Sequence, residues 1–506
     1  MSSRKKVIVP LNRVEGDLKI HLEYDGDTIY DAFSAGTMYR GFENIMKDRG
    51  PLDGLVITPR ICGICSNSHL AAAAKALDMI TQCMVPDNAT RVRNITLIAE
   101  QLQNDVRQHS LLFMVDSTSP AYVSSSFYDE ALARYTPLKG RSVVEAIENT
   151  KKILEILSIL GGQWPHSSFM VPGGVVSVPG ANDIVQCKYI LRQFRMWYEK
   201  QVLGCSCDLW RQVRSRQDLE AWLEASPAHY QSDLGFFLRF GREAGLSRIG
   251  KGTENFISYG FLDMPRNTRV QSLGSTGYYM PAGFVSKGSV RQVNQHEIME
   301  DTSHSWFSGH GEELHPYDGM TIPYATGSEG HRYSWGKAPR YDGQPAETGP
   351  LAQMLAAQNP LFMDLLNQDG PSAFSRQLAR IVRPTLTIPV MDQWLEEIAQ
   401  TDEPFFTPYG EIRNGQGHGM VEAPRGSLGH WVIIEDGRIK RYQVISPTTW
   451  NASPRDSNGQ LGPWERALAG TKIRDLKIPV EVDHIVRSFD PCLVCTVHCA
   501  DLRWEV

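Results

Sequence analysis

The chain has 506 residues, 42% of them hydrophobic and 21% charged, with a formal net charge of -6. That length is enough for a sizeable core and, by itself, would allow about two to four domains. The negative balance gives no reason to expect nucleic acid or an anionic membrane surface as a partner, and no apolar run approaches the length of a membrane span.

The first residues, Met-Ser-Ser-Arg-Lys-Lys, run straight into Val7-Ile8-Val9-Pro10 without a signal-peptide core. A cytoplasmic setting is therefore expected, with export beside a signal-bearing partner left open. Nine cysteines are too few and too scattered for a disulfide framework in a chain this long, which also favours reduced thiols.

Residues 5 to 35 alternate apolar and polar side chains about Tyr24-Asp25-Gly26-Asp27, predicting an N-terminal hairpin. Arg13-Val14-Glu15-Gly16-Asp17 falls in its first strand region, where Glu15 alone reads as a surface carboxylate. Tyr39-Arg40-Gly41-Phe42-Glu43 follows, with Glu43 reading as an acid at a helix start. Next comes Arg60-Ile61-Cys62-Gly63-Ile64-Cys65-Ser66-Asn67-Ser68-His69, with a Cys-x-x-Cys whose spacing turns two thiolates towards one metal. Residues 69 to 82 and 90 to 115 predict helices, the second carrying Ile95, Ile98, Ala99, Leu102 and Val106 at helical spacing. Asp105 and His109, four apart, share a helical face and on their own read as ordinary polar residues of that helix.

A helix is predicted over 141 to 160, stopped by Gly161-Gly162, and a long helical stretch over about 183 to 225. Between about 228 and 345 the chain is rich in Gly, Ser, Tyr and His without a helical period, predicting a surface insert of loops and small strands. His296, His304, His310, His315 and His331 have irregular spacing there and read as surface or structural residues. Helices resume at 349 to 368 and 372 to 400. Gly415 to Gly426 reads as a glycine-rich turn that positions Arg425, and without a Gly-x-Gly-x-x-Gly opening a helix it gives nucleotide binding no support. A second hairpin about Glu435-Asp436-Gly437 leads to Val444, Pro447 and Thr448, and Asp490-Pro491-Cys492-Leu493-Val494-Cys495-Thr496-Val497-His498 brings the second cysteine pair.

The two pairs supply four sulfurs. A closed zinc site is the simplest use of that spacing. Yet the pairs come from opposite chain ends, and Arg60, His69, Asp490 and His498 crowd them. Soft thiolates among acids, bases and an arginine suit redox or proton chemistry at a thiophilic transition metal.

Arg-x-Cys-Gly-x-Cys-x-x-x-His at 60–69 and Asp-Pro-Cys-x-x-Cys-x-x-His at 490–498 resemble the paired signatures of the large subunit of nickel-iron hydrogenases. Arg13-x-Glu15-Gly16, Tyr39-Arg40-Gly41-x-Glu43, Val171 to Val175, Lys337-Ala338-Pro339-Arg340 and Glu422 to Gly426 match further blocks, so the resemblance spans nearly the whole chain. It implies a mainly α fold, a central helical bundle with peripheral β hairpins and loop-rich inserts, forming a single catalytic domain over 1–506.

The resemblance also implies a site. Cys62 and Cys492 would be terminal ligands of nickel, and Cys65 and Cys495 would bridge it to an iron carrying carbon monoxide and cyanide. Glu15 would pass protons to and from Cys492, Arg425 with Asp105 and Asp490 would shape the open position, and His69 would orient a bridging thiolate. Pro447, Thr448 and Arg425 would surround the diatomic ligands, with His109 facing the metals. Glu43, Val444 and His498 would hold magnesium or iron(II). Asp17 stands where the family usually has a histidine.

The activity implied is reversible heterolytic cleavage of H2, in the uptake direction. The remaining cysteines make no cluster-binding pattern, so electrons would leave through an iron-sulfur small subunit. Nickel-insertion proteins and a maturation protease are further implied partners, the protease removing residues 499–506 and leaving His498 at the end; membrane association would come through partners. The alternatives are a hydrogen-sensing regulatory protein, which would keep the same site, and a quinone-binding subunit like that of respiratory complex I, which is expected to lack the four cysteines.

Overall fold

The structure, a computed structural model, describes residues 5–16, 18–274, 277–308, 313–327 and 330–496. Its centre is the helix Asp87–Arg107, buried along almost its whole length. A helix this polar is stable in a core only if each buried group is paired. Arg91 meets Glu397, Arg93 meets Asp78, Asp105 meets Arg383, and Glu100 accepts the amides of Asn67 and Ser68. Around it pack Ser66–Thr81, Arg141–Ile153 and Pro384–Gln400.

Small antiparallel sheets lie about this bundle. At the N-terminus three strands, Lys5–Pro10, Leu18–Asp25 and Thr28–Gly36, replace the predicted two-stranded hairpin, and Arg13 to Gly16 lie in the connection between the first two. Ile20, Leu22 and Ile29 from this sheet share one core with Val482, Val486, Phe489 and Leu493 near the other end of the chain. That shared core sets the Arg13 to Gly16 connection beside the second cysteine segment.

Gly415 to Ala423 is a strand and not a turn, paired with Gly426–Glu435, which in turn pairs with Arg438–Ile445 through the left-handed Asp436-Gly437. Its glycines serve close approach. A Cβ at Gly419 would lie 1.8 Å from the Ala72 carbonyl oxygen, and one at Gly417 2.2 Å from that of Ala76, so the alanine-rich helix Ser66–Thr81 rests directly on the strand backbone.

Several predicted helices divide. The 141–160 segment breaks at Leu154 into Arg141–Ile153 and Glu155–Gly161. The 183–225 stretch runs as Ala181–Trp197, passes through a wider turn to Gly204 at φ 79°, and resumes only in Cys207–Trp210 and Arg216–Glu224. Pro360 and Pro384, each at the first position of a new helix, split the 349–368 and 372–400 segments. The 90–115 helix begins at Asp87 and ends at Arg107, giving way to a wider turn over Gln108–Phe113.

The 228–345 section departs most from its reading. It opens with two helices, Pro227–Gln231 and Asp233–Ala244, the second of which buries Leu234, Phe236, Phe237 and Phe240. Beyond that, Ile257, Tyr259, Phe284, Ile298 and Tyr341 form a core with Trp431 and Trp450. Four strands of four residues contribute one of these side chains each, too short a run for a period to register.

Candidate metal centre

Cys65 stands at the N-cap of Ser66–Thr81, and Cys492 and Cys495 flank the start of the short helix Leu493–Thr496. The turns place all four Sγ atoms within 4.8 Å of one another, every one of them buried. Cys492 and Cys495 are 2.9 Å apart, Cys62 and Cys65 3.4 Å, Cys62 and Cys492 3.5 Å, and Cys65 and Cys495 3.8 Å. Arg40 clamps the two turns, its guanidinium donating to the carbonyls of both Ile61 and Val494. Glu15 adds a backbone bridge, accepting the Leu493 amide at 2.6 Å, while its neighbour Gly16, at φ 88°, would bring a Cβ within 3.0 Å of the Val494 amide nitrogen.

Four thiols this close cannot all ionise without a cation. Hydrogen bonds from Cys492, Cys495 and Cys65 push the Cys62 thiol well below its usual value. Its bond with Cys492 pushes Cys65 well up, and burial does the same to Cys495. Four buried soft donors at one point are the arrangement that a thiophilic metal would hold together.

Arg425 leans over this set with Nη1 3.3 Å from Cys65 Sγ and Nε 3.0 Å from Asp490 Oδ1. Burial opposes its charge, but Asp490 and then the neighbouring cysteines outweigh it and hold the guanidinium ionised. The other Asp490 oxygen accepts from Asn104 Nδ2 at 2.7 Å. The Glu15 carboxyl is half-buried, and burial raises it above its ordinary value against the pull of Arg425.

The description Nickel-dependent hydrogenase belongs to the family whose residue profile matches positions 40–117 and 108–498. The chain belongs to the nickel-dependent hydrogenases. It is 28% identical to the uptake hydrogenase large subunit of Rhodobacter capsulatus over 98% of this chain and 95% of that one. It is 30% identical to the periplasmic [NiFeSe] hydrogenase large subunit of Desulfomicrobium baculatum, over 97% and 94%. The solved Ni-Fe-Se hydrogenase of D. vulgaris Hildenborough in the reduced state superposes with a TM-score of 0.82 at 28% identity, covering 98% of this chain and 100% of that one. The mainly helical hydrogenase fold and the activity read from the motifs are therefore the chain's own: it is the large, catalytic subunit of a hydrogenase and works with a small subunit. Among the described residues no helix is long and apolar enough to cross a membrane.

Other predicted site residues of this hydrogenase lie at different removes from the sulfurs. Asp105 turns away from Asp490 and pairs with Arg383, which also donates to the Pro424 carbonyl; it acts on the Arg425 loop from behind. One residue earlier, Asn104 is the side chain that reaches Asp490. His109 sits past the end of that helix against Tyr135 and Phe237, and Nδ1 meets Gln377 Nε2 at 3.0 Å. Gln377 in turn accepts from Arg380, so His109 reaches Asp490 only through two side chains. Thr448 Oγ1 accepts the Cys492 amide at 3.0 Å, which leaves its hydroxyl hydrogen to donate, and Pro447 opens the same short helix. His69, one turn beyond Cys65, meets His430; burial drives its pKa down to about 4, so the ring is neutral at ordinary pH.

Glu43 is buried in a second pocket beside the cysteines. Oε1 accepts the Val444 amide at 3.0 Å, Oε2 accepts from Thr321, and Lys337 lies between Glu43 and Glu300. His498, His310, Asp17 and the predicted tail lie outside the described residues. Arg40, Glu100, Asn104, Arg380 and His430 are the participants that sequence reasoning missed. Only Arg40 stood inside a recognised block, and an amide such as Asn104 is overlooked beside an acid.

Proposed function

We propose that the chain is the H2-splitting subunit of an uptake hydrogenase, holding a nickel-iron pair with Cys62 and Cys492 terminal on nickel and Cys65 and Cys495 shared with iron. The observation that carries this reading is the four-thiol cluster with Glu15 bridged to its Cys492 turn and Arg425 above it. The carboxyl-bearing Glu15 and the charged Arg425 beside the sulfurs suit a reactive centre better than a closed structural zinc site. When bound, the metal pair supplies the place where H2 is polarised and its electron pair taken up.

The chain's own residues handle the proton. Cys492 sulfur receives it, and Glu15, on the neighbouring backbone, carries it onward. Arg425 stays charged and serves as a fixed donor over the open position, with Asp490 holding its orientation and Asn104 holding Asp490; Asp105 steadies the loop through Arg383. Pro447 and the Thr448 hydroxyl, with Arg425, suit an apolar and hydrogen-bonding pocket for carbon monoxide and cyanide on iron. Glu43, Val444 and His498 are assigned to a magnesium or iron(II) ion, supported by Glu300 Oε1, a buried carboxylate oxygen without a hydrogen-bond partner among the described residues in the same pocket.

The small subunit carries iron-sulfur clusters in this reading, and maturation uses nickel-insertion proteins and a protease that removes residues 499–506. The chain acts as one catalytic domain, a reading supported by the core shared between its two ends, and its setting in this reading is the cytoplasm. The test is H2-dependent reduction of a viologen dye by the large subunit co-purified with its small subunit, alongside elemental analysis. Turnover with nickel and iron present is expected. Zinc alone, or nickel and iron without H2-dependent reduction, overturns it.

A further inference from the structure

Asp116, in the short turn Met114–Thr118, is one carboxylate held by two arginines from opposite ends of the chain. Its Oδ1 accepts from Nη2 of Arg13, and its Oδ2 accepts from Nη1 of Arg487 at 2.6 Å. Arg13 lies just before Glu15 in the chain, and Arg487 just before Asp490 and Cys492. The Asp116 and Arg487 side chains are 4% and 1% exposed, that of Arg13 27%.

Each arginine also grips backbone. Arg13 Nη1 donates to the Leu112 carbonyl at 2.8 Å, and Arg487 Nη2 donates to the Asn12 carbonyl at 3.0 Å and to its side-chain oxygen at 2.8 Å. The Arg487 carbonyl accepts Gln108 Nε2 at 2.6 Å and the Asp490 amide at 3.0 Å, which ties this arginine into the turn that leads to Cys492. Asn12 to Gly16 lie between the strands Lys5–Pro10 and Leu18–Asp25, outside their ladder. Arg13 at φ 54° is left-handed there, a conformation that a side chain keeps only where its surroundings hold it. The bridge between Glu15 and the cysteine turn rests on one short bond, from the Leu493 amide to the Glu15 carbonyl at 2.6 Å. The bonds from the Glu15 amide to the Pro491 carbonyl and from the Val494 amide to the Glu15 carbonyl are both 3.4 Å. Placement of this loop therefore depends on the arginines as well.

We propose that Asp116 is a positioning residue that holds Arg13 on one oxygen and Arg487 on the other, and so sets Glu15 beside Cys492. Proton transfer needs donor and acceptor within about 2.6–3.2 Å, and a misplacement of about 1 Å costs about a hundredfold in rate. The anchor is a property of the fold; its consequence for the proton rests on the nickel-iron reading with Glu15 as carrier.

Asp116→Asn in the large subunit co-purified with its small subunit tests both parts. The amide keeps the size but has one acceptor oxygen for two arginines. Arg487 retains Asp483 at 3.0 Å and Asn12, and Arg13 retains Leu112, so the fold is expected to persist. In amide hydrogen exchange the peptide carrying Leu493 should exchange about tenfold faster, with the strand Gly426–Glu435 unchanged. Unchanged exchange at Leu493 overturns the anchor. In H2-dependent dye reduction kcat should fall about tenfold to a hundredfold with a larger solvent deuterium isotope effect, at unchanged metal content and KM for H2. An unchanged kcat, or a fall without a change in the isotope effect, overturns the role in proton transfer. Arg13→Gln, at the partly exposed end of the clamp, takes the same measurements with the same outcomes if Asp116→Asn yields no folded protein. If the parent enzyme does not turn over H2, the nickel-iron reading fails, and exchange at Leu493 still decides the anchor.

Discussion

Glu15 and Cys492 lie side by side in a short parallel bridge, the Glu15 carbonyl accepting the Leu493 amide and the Glu15 amide reaching the Pro491 carbonyl. The backbone thus fixes residue 15 beside the C-terminal cysteine turn, whatever its side chain does. Replacing Glu15 by Gln keeps the backbone bridge, the size and the hydrogen-bonding capacity, and removes the exchangeable proton. Turnover should fall about a hundredfold or more while nickel and iron persist. Unchanged turnover in a metal-replete Glu15→Gln enzyme would falsify the proton-carrier role.

Each cysteine of the cluster is needed as a ligand in the proposed centre. Cys62→Ala, Cys65→Ala, Cys492→Ala and Cys495→Ala should each lose nickel, iron or both, read by elemental analysis of the purified protein. Cys187→Ala, at a buried thiol outside the cluster, should retain both metals. Full metal content in the four cluster variants would remove the assignment.

Arg40 holds the two cysteine turns through one carbonyl on each. Arg40→Met leaves both buried carbonyls without this donor, and a loss of about 3 kcal/mol is expected. Urea denaturation of the parent and variant measures it. Arg40→Lys, with a single ammonium in place of the fork, should recover only part of the loss. Equal midpoints for all three proteins would mean that the turns are held by other groups.

Gly419 lies where a methyl group would strike the Ala72 carbonyl. Since that obstacle is helix backbone, Gly419→Ala should cost about 4 kcal/mol or more and leave little folded protein. Gly410 has open space around its Cβ direction, and Gly410→Ala should stay within about 0.5 kcal/mol of the parent. Comparing soluble yield and thermal midpoint of the two variants checks the packing argument.

His484 is buried against Tyr122, whose hydroxyl lies 2.9 Å from Nε2. Burial drives its pKa down from 6.5 to about 4, with Asp116 pulling it up and Arg487, Arg474 and Arg13 pushing it further down. The unfolded chain therefore takes up a proton that the native ring refuses, and stability falls as pH drops from about 6.5 towards 4. Between about pH 7 and pH 5 this one group should remove about 2 kcal/mol. His484→Gln should lose that part of the pH dependence, seen in urea midpoints at the two values. An identical slope in parent and variant would assign the acid sensitivity to other groups.

How much of the site was legible depended on how local each element was. Cys62 with Cys65, and Cys492 with Cys495, stand out because three residues of chain and one turn suffice to aim two sulfurs at one point. Glu15 was legible through its block, although its place between two strands was not. Asp105 was chosen where Asn104 makes the contact, because adjacent helical residues point about 100° apart and only the packed helix decides which one faces Asp490. The glycines of 415–419 looked like a turn, since nothing nearby in the chain announces that an alanine-rich helix, hundreds of residues earlier, will lie against them.

The sequence by itself determined the chemistry: four soft ligands in two turns, an acid and an arginine in recognisable blocks, and a family resemblance that implied a mainly α fold. Only the tertiary structure decided which side chains hold those groups in place. Arg40 joining Ile61 to Val494, Asn104 reaching Asp490, and Tyr442 reaching His69 through His430 are all contacts between distant segments. The physical reason is that a ligand's identity is a property of its own side chain, whereas a buried hydrogen bond depends on where two segments are brought by the packing of the whole core.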